Sequence, residues 1–147
     1  MDRVERCAGY FAQGYACSQS VLLAFAEDLH MNVETAARIS AGFGGGMGRS
    51  AGTCGAVTGA LMVIGLHSGS PVVDAAAKDA TYALVRRFMA EFSARHGSTD
   101  CRDLLGCDIS EPEGSAYARE RNLFKTQCPQ YVQDAVRILE GLLIAEV

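Results

Sequence analysis

An all-α fold is the expectation for this 147-residue chain, and three observations carry it. Apolar residues recur at three- and four-residue spacing through most of the sequence, no useful stretch alternates apolar with polar, and glycine, asparagine and proline punctuate the periodic segments. The pattern implies one domain over residues 1–147, a bundle of about seven helices around a buried, glycine-containing helix.

The elements follow in order. Val4, Cys7, Ala8 and Phe11 share one helical face, and Gly14 stops that segment. Val21, Leu22, Phe25, Ala26 and Leu29 repeat the pattern to His30. Asn32 is placed to cap a short helix carrying Val33, Ala36, Ala37 and Ile39. Gly42 to Gly52 is a glycine-rich break, followed by Ala56 to Leu66, which is apolar all round and reads as the buried central helix. Beyond Ser68-Gly69-Ser70-Pro71, a long segment aligns Val73, Ala76, Ala77, Ala80, Leu84, Phe88 and Phe92 and ends at Gly97. Leu104 and Leu105 mark a short turn closed by Gly106. Ser110 and Glu113 have capping-box spacing, with Pro112 allowed in the first turn of a polar helix. Val132, Ala135, Val136, Leu139, Leu142 and Leu143 form the last apolar stripe, running to the C-terminus.

Composition removes several functions. A net charge of −4, no tryptophan and no basic stripe argue against a nucleic-acid partner. The longest apolar run, Ala56 to Leu66, falls well short of the roughly 20 residues that cross a bilayer, so no membrane insertion is expected. With no charged leader before an apolar stretch, a cytoplasmic location is expected. Six cysteines in that setting indicate metal binding or redox turnover rather than a disulfide framework.

Four of the six stand where a helix begins. Cys17 precedes Ser18 to Leu23, Cys54 precedes the central helix, Cys101 follows the cap-like Ser98-Thr99-Asp100, and Cys128 precedes Pro129. A helix N-terminus presents unpaired N–H groups and about half a positive charge, which favours a thiolate. Lowered pKa values and a more available sulfur are therefore expected at these sites. Cys54, among the small residues Gly55, Ala56, Gly59 and Ala60, is the expected nucleophile. Cys7, inside an apolar face, reads as a small core residue, and Cys107, after Gly106 at a helix end, as structural or incidental. No pair has Cys-x-x-Cys spacing, so any site must be assembled from distant segments.

Other candidates yield to plainer readings. Gly46-Met47-Gly48-Arg49-Ser50-Ala51 satisfies G-x-G-x-x-A, but no strand precedes it, so backbone bending beside Cys54 is the expected role. A residual role for Arg49 and the neighbouring N–H groups is to hold an anion or the end of a thiol substrate. His30, His67 and His96 sit near helix C-termini, where a cation is favoured, and read as helix-end residues rather than ligands. Met47, Met62 and Met89 read as packing residues, and Arg119 to Asn122 as a solvated face.

The order of an isolated cysteine, a Cys54-Gly55-Ala56-Val57-Thr58-Gly59 block and two more separated cysteines resembles the redox-active proteins named for the C_GCAxxG_C_C signature. The resemblance extends over nearly the whole chain. It includes Cys17 to Val21, Gly42 to Arg49, Cys101 to Gly106 and Asn122-Leu123-Phe124. It implies that Cys17, Cys54, Cys101 and Cys128 are the family cysteines and implies no role for Cys7 or Cys107. It also implies a setting near transport systems.

Three functions follow as expectations. The first is thiol–disulfide exchange without a cofactor: Cys54 attacks a thiol-derived disulfide or oxidised substrate, Cys17 resolves it, and Cys101 with Cys128 forms a second pair. The second is a module in which the four thiolates jointly hold an iron–sulfur cluster or zinc. The third is a helical partner of a transport system with inert cysteines.

Overall fold

The computed structural model describes residues 1–144, in which the chain is helical and no strand forms. The elements are α1 (Arg3–Ala12), α2 (Cys17–Ala26), α3 (Val33–Ile39), a 3₁₀ turn (Ala41–Phe43), α4 (Gly44–Met47), α5 (Gly55–Ser68), α6 (Ala75–His96), α7 (Cys101–Leu105), α8 (Pro112–Glu120), α9 (Leu123–Thr126) and α10 (Cys128–Ile144). The all-α expectation holds. The end of the last expected stripe, residues 145–147, lies outside the described residues. Among the described residues no helix is long and apolar enough to cross a membrane.

Local chemistry sets most boundaries. Asn32 accepts the Thr35 N–H at 2.9 Å to cap α3, as its sequence position suggests. Gly97, at φ +85°, ends α6, and Gly106, at φ +70°, ends α7. Two expectations fail. Ser110 does not cap α8: both its backbone N–H and its hydroxyl bond to the Asp108 carboxylate, and Glu111 takes the cap position without a side-chain bond. Held by Asp108 in this way, Ser110 sits one residue before the cap position. Val73, expected on the apolar face of α6, precedes that helix and is fully exposed, because Asp74 caps the first turn by accepting the Ala77 N–H.

Burial is deepest in α2, where every residue from Ser20 to Ala26 is buried. Its buried hydroxyls have partners: Ser18 donates to the Ser40 carbonyl at 2.8 Å and Ser20 to the Ala16 carbonyl at 2.9 Å. Helix α5 packs on α2, α6 and α10 but keeps a partly exposed edge at Leu61, Met62 and Leu66, so its apolar surface is not enclosed on all sides.

The α2–α5 contact positions the site. A Cβ on Gly59 would lie 2.6 Å from the Ser18 carbonyl oxygen, and one on Gly55 would lie 3.0 Å from the Ser18 nitrogen. Only glycine at this four-residue spacing lets the two backbones touch. That closeness sets the start of α2, with Cys17, against the start of α5, with Cys54.

Candidate functional site

A second backbone device fixes Cys101 beside Cys54. The segments before α5 and α7 pair antiparallel for a few residues, with Thr53 opposite Asp100. The Cys54 N–H donates to the Thr99 carbonyl at 2.8 Å, and the Cys101 N–H donates to the Gly52 carbonyl at 2.7 Å. Two cysteines 47 positions apart in sequence thus become neighbours through main-chain bonds that no side-chain pattern encodes.

Cys128 arrives from the other direction. Helices α8 and α9 fold back over the cluster, and α10 begins at Cys128 with its sulfur facing Cys17. Gly114 permits this return, since a Cβ there would collide with the Asp108 carbonyl. The result is one cavity of about 830 Å³ lined by Cys17, Cys54, Cys101 and Cys128 together. All six cysteines are free thiols. Cys7 is absent from this cavity: it is buried in the core and directs its thiol to the Val132 carbonyl at 3.7 Å. Cys107 is half-buried and packs at the edge of the cluster.

The electrostatics correct the expectation of lowered pKa values. Cys54 receives the N–H groups of Ala56 and Val57, which pull its pKa down, yet burial dominates and the thiol sits at about 11. Burial, then the neighbouring Cys54, pushes Cys101 up to about 12. Cys17 is also raised, first because its proton is held in a hydrogen bond to Cys128 and next by burial. Cys128 alone is lowered, because the Cys17 thiol donates to it, and this outweighs its desolvation. All four helix-start cysteines line the cavity, but desolvation of a thiolate exceeds what one turn of N–H groups returns.

The cluster holds neighbour relations beyond the expected pairs. Cys17 faces Cys128 as well as the start of α5, and Cys101 is tied by backbone to the Cys54 segment.

The glycine-rich segment forms one wall. Gly45, Gly46, Met47, Gly48 and Arg49 all have φ between +61° and +72°, a left-handed turn, so the short α4 is not a regular right-handed helix. Gly46 is irreplaceable there, since a Cβ would lie 2.5 Å from the Gly52 nitrogen. Three non-glycine residues, Met47, Arg49 and Ala51, share the left-handed region, a local strain that the packing around the cavity sustains. No phosphate loop is built here, because no strand precedes the turn.

Tyr131 is a site residue that the sequence reading missed. It lines the cavity, and its hydroxyl donates to the Leu104 carbonyl at 2.8 Å. Burial and then the charges of Cys128, Cys54 and Cys101 raise its pKa. The available signal was its position three residues after Cys128, one turn along the same face of α10.

His30, His67 and His96 remain outside the cavity lining, and His96 instead pairs with Asp134 at 3.0 Å. Among the described residues no three His, Cys, Asp or Glu side chains group in the way a metal ion requires.

A family model described as "Putative redox-active protein (C_GCAxxG_C_C)" matches residues 15–142. Neither a curated protein nor a solved structure matches the chain. The match covers all four cavity cysteines together with Cys107, and leaves Cys7 outside it.

Proposed function

The chain belongs to the C_GCAxxG_C_C family of redox-active proteins, and from that premise we propose that it performs thiol–disulfide exchange with Cys128 as the attacking sulfur. The observation that carries this reading is the convergence of four distant thiols on one cavity. Of this pair Cys128 is the thiol whose ionisation is favoured and Cys17 the one whose ionisation is disfavoured, which makes Cys128 the attacking sulfur of the proposal. The Cys128 thiolate attacks one sulfur of a substrate disulfide, that S–S bond breaks, and the first substrate thiolate leaves with the proton of Cys17. The Cys17 thiolate then attacks the Cys128 sulfur, the mixed disulfide breaks, and the second substrate thiolate departs. Two electrons pass to the substrate and a Cys17–Cys128 disulfide remains. Cys54 and Cys101, adjacent to this pair, form a second dithiol that regenerates the first or stores the oxidising equivalents.

The test is to oxidise the reduced protein with a small disulfide and map the products by mass spectrometry. A Cys17–Cys128 disulfide is expected in the wild type, and a trapped mixed disulfide on Cys128 in Cys17→Ser. A product confined to Cys107, or no reaction, would overturn the assignment. A metal-thiolate module would instead show stoichiometric zinc, or iron with visible absorbance, in protein purified without oxygen.

A further inference from the structure

We propose that the cavity selects small disulfides that carry negative charge, such as those of carboxylate-bearing thiols, with Arg49 and Arg119 as the residues that meet that charge. This inference rests on the exchange function proposed above and adds its substrate class. The cavity, at about 830 Å³, has the size of a small-molecule site rather than a protein-docking face. Among the described residues, apart from its thiols and one tyrosine, the ionisable groups lining it are those two arginines, and no carboxylate lines it. A cationic lining on a protein of net charge −4 runs against the molecule's own balance. A neutral disulfide gains nothing from two guanidinium groups in the lining, whereas a carboxylate gains bidentate partners.

Arg49 is placed through its backbone and stem, and Arg119 through its guanidinium. Arg49 is one of the few non-glycine residues with left-handed backbone, at φ +66°, on the glycine wall. Its stem lies across Gly45, where a Cβ would come within 2.9 Å of the Arg49 Cγ, so the missing side chain at Gly45 makes room for the arginine. Arg119 projects from α8, and its guanidinium donates to Ser115 Oγ at 2.9 Å, another group of the lining. Among the described residues neither arginine pairs with a carboxylate. The two cations come from separate segments, α8 and the glycine-rich wall, and face one cavity.

The reaction that this predicts is the exchange already written, with the substrate carboxylates against the arginines while one disulfide sulfur meets Cys128. The experiment compares three disulfides of similar size: dithiodiglycolate, hydroxyethyl disulfide and cystamine, which are anionic, neutral and cationic. Each rate of protein oxidation is divided by the rate of the same disulfide with free dithiothreitol, which removes differences in leaving-group chemistry. The expected order is anionic, then neutral, then cationic. At low ionic strength the anionic-to-neutral ratio should be about tenfold, and added salt should compress it. In Arg49→Gln/Arg119→Gln that ratio should fall towards one, while Arg87→Gln, on α6 and outside the lining, should retain it. A charge-blind order in the wild type overturns the substrate class and leaves the exchange function standing. Failure of all three disulfides to oxidise the protein overturns both. The wild-type series is decisive even if the double variant fails to fold.

Discussion

Cys7 and Cys128 are both buried cysteines on helices, yet their thiols move in opposite directions. Cys7 lies in the main core, its pKa raised from 9.0 to about 12 by burial. Cys128 lies in the smaller cluster around α7, α8 and α9 and is lowered, because the Cys17 thiol donates to it. Cys7 has a carbonyl for a partner, which can only accept; Cys128 has a donor. The contrast teaches that a cysteine's chemistry is set by what points at its sulfur rather than by depth or helix position alone.

The largest expected effect that would sharpen this contrast comes from removing the two sulfurs in turn. Cys128→Ser should slow oxidation by a small disulfide by at least about 100-fold with little change in the thermal midpoint. Cys7→Ser should leave the rate intact. Equal rates in the two variants would erase the distinction.

Next comes the scaffold that assembles the second region. Gly59→Ala places a methyl 2.6 Å from the Ser18 carbonyl, backbone against backbone. A loss of about 2–3 kcal/mol in denaturant unfolding is expected, together with slower exchange, because Cys17 is displaced from its neighbours. A neutral outcome would mean that the α2–α5 approach is not what sets the cavity.

A smaller effect isolates the hydrogen bond itself. In Cys17→Ala the pH profile of Cys128 alkylation should move to higher pH, since the donor that holds the thiolate is gone. An unchanged profile would assign the lowering to the α10 N-terminus instead.

The smallest concerns Cys7. Below pH 9 its thiol is protonated in both folded and unfolded chains and adds no pH dependence. Between 9.0 and about 12 the unfolded chain ionises while the folded one does not, so stability falls as pH rises. Cys7→Ala should cost about 1 kcal/mol at neutral pH and show a shallower alkaline decline in unfolding titrations.

Much of this architecture was legible in the sequence. Helical spacing and the stops at Gly14, Gly97 and Gly106 gave the fold class and several boundaries, and the helix starts singled out the four cysteines that now share a cavity. What was not legible depends on partners distant in sequence. Asp108 takes Ser110 from its expected cap, the 51–54 and 99–102 segments tie Cys54 to Cys101, and Cys17 meets Cys128 across the fold. The lowering at Cys128 follows from that last contact, and one-dimensional spacing does not contain it. Tyr131 escaped notice for the same reason, as its importance lies in what it faces.

The central claim is that the Cys17–Cys128 contact, and not helix position, makes one thiol of the cluster reactive. Its most direct test is iodoacetamide labelling of the reduced protein across pH, with each cysteine followed by mass spectrometry. Cys128 should label first among the cavity cysteines at neutral pH, ahead of Cys54 and Cys101, with Cys7 last. Labelling of Cys54 ahead of Cys128 would contradict it and return the nucleophile to the start of α5.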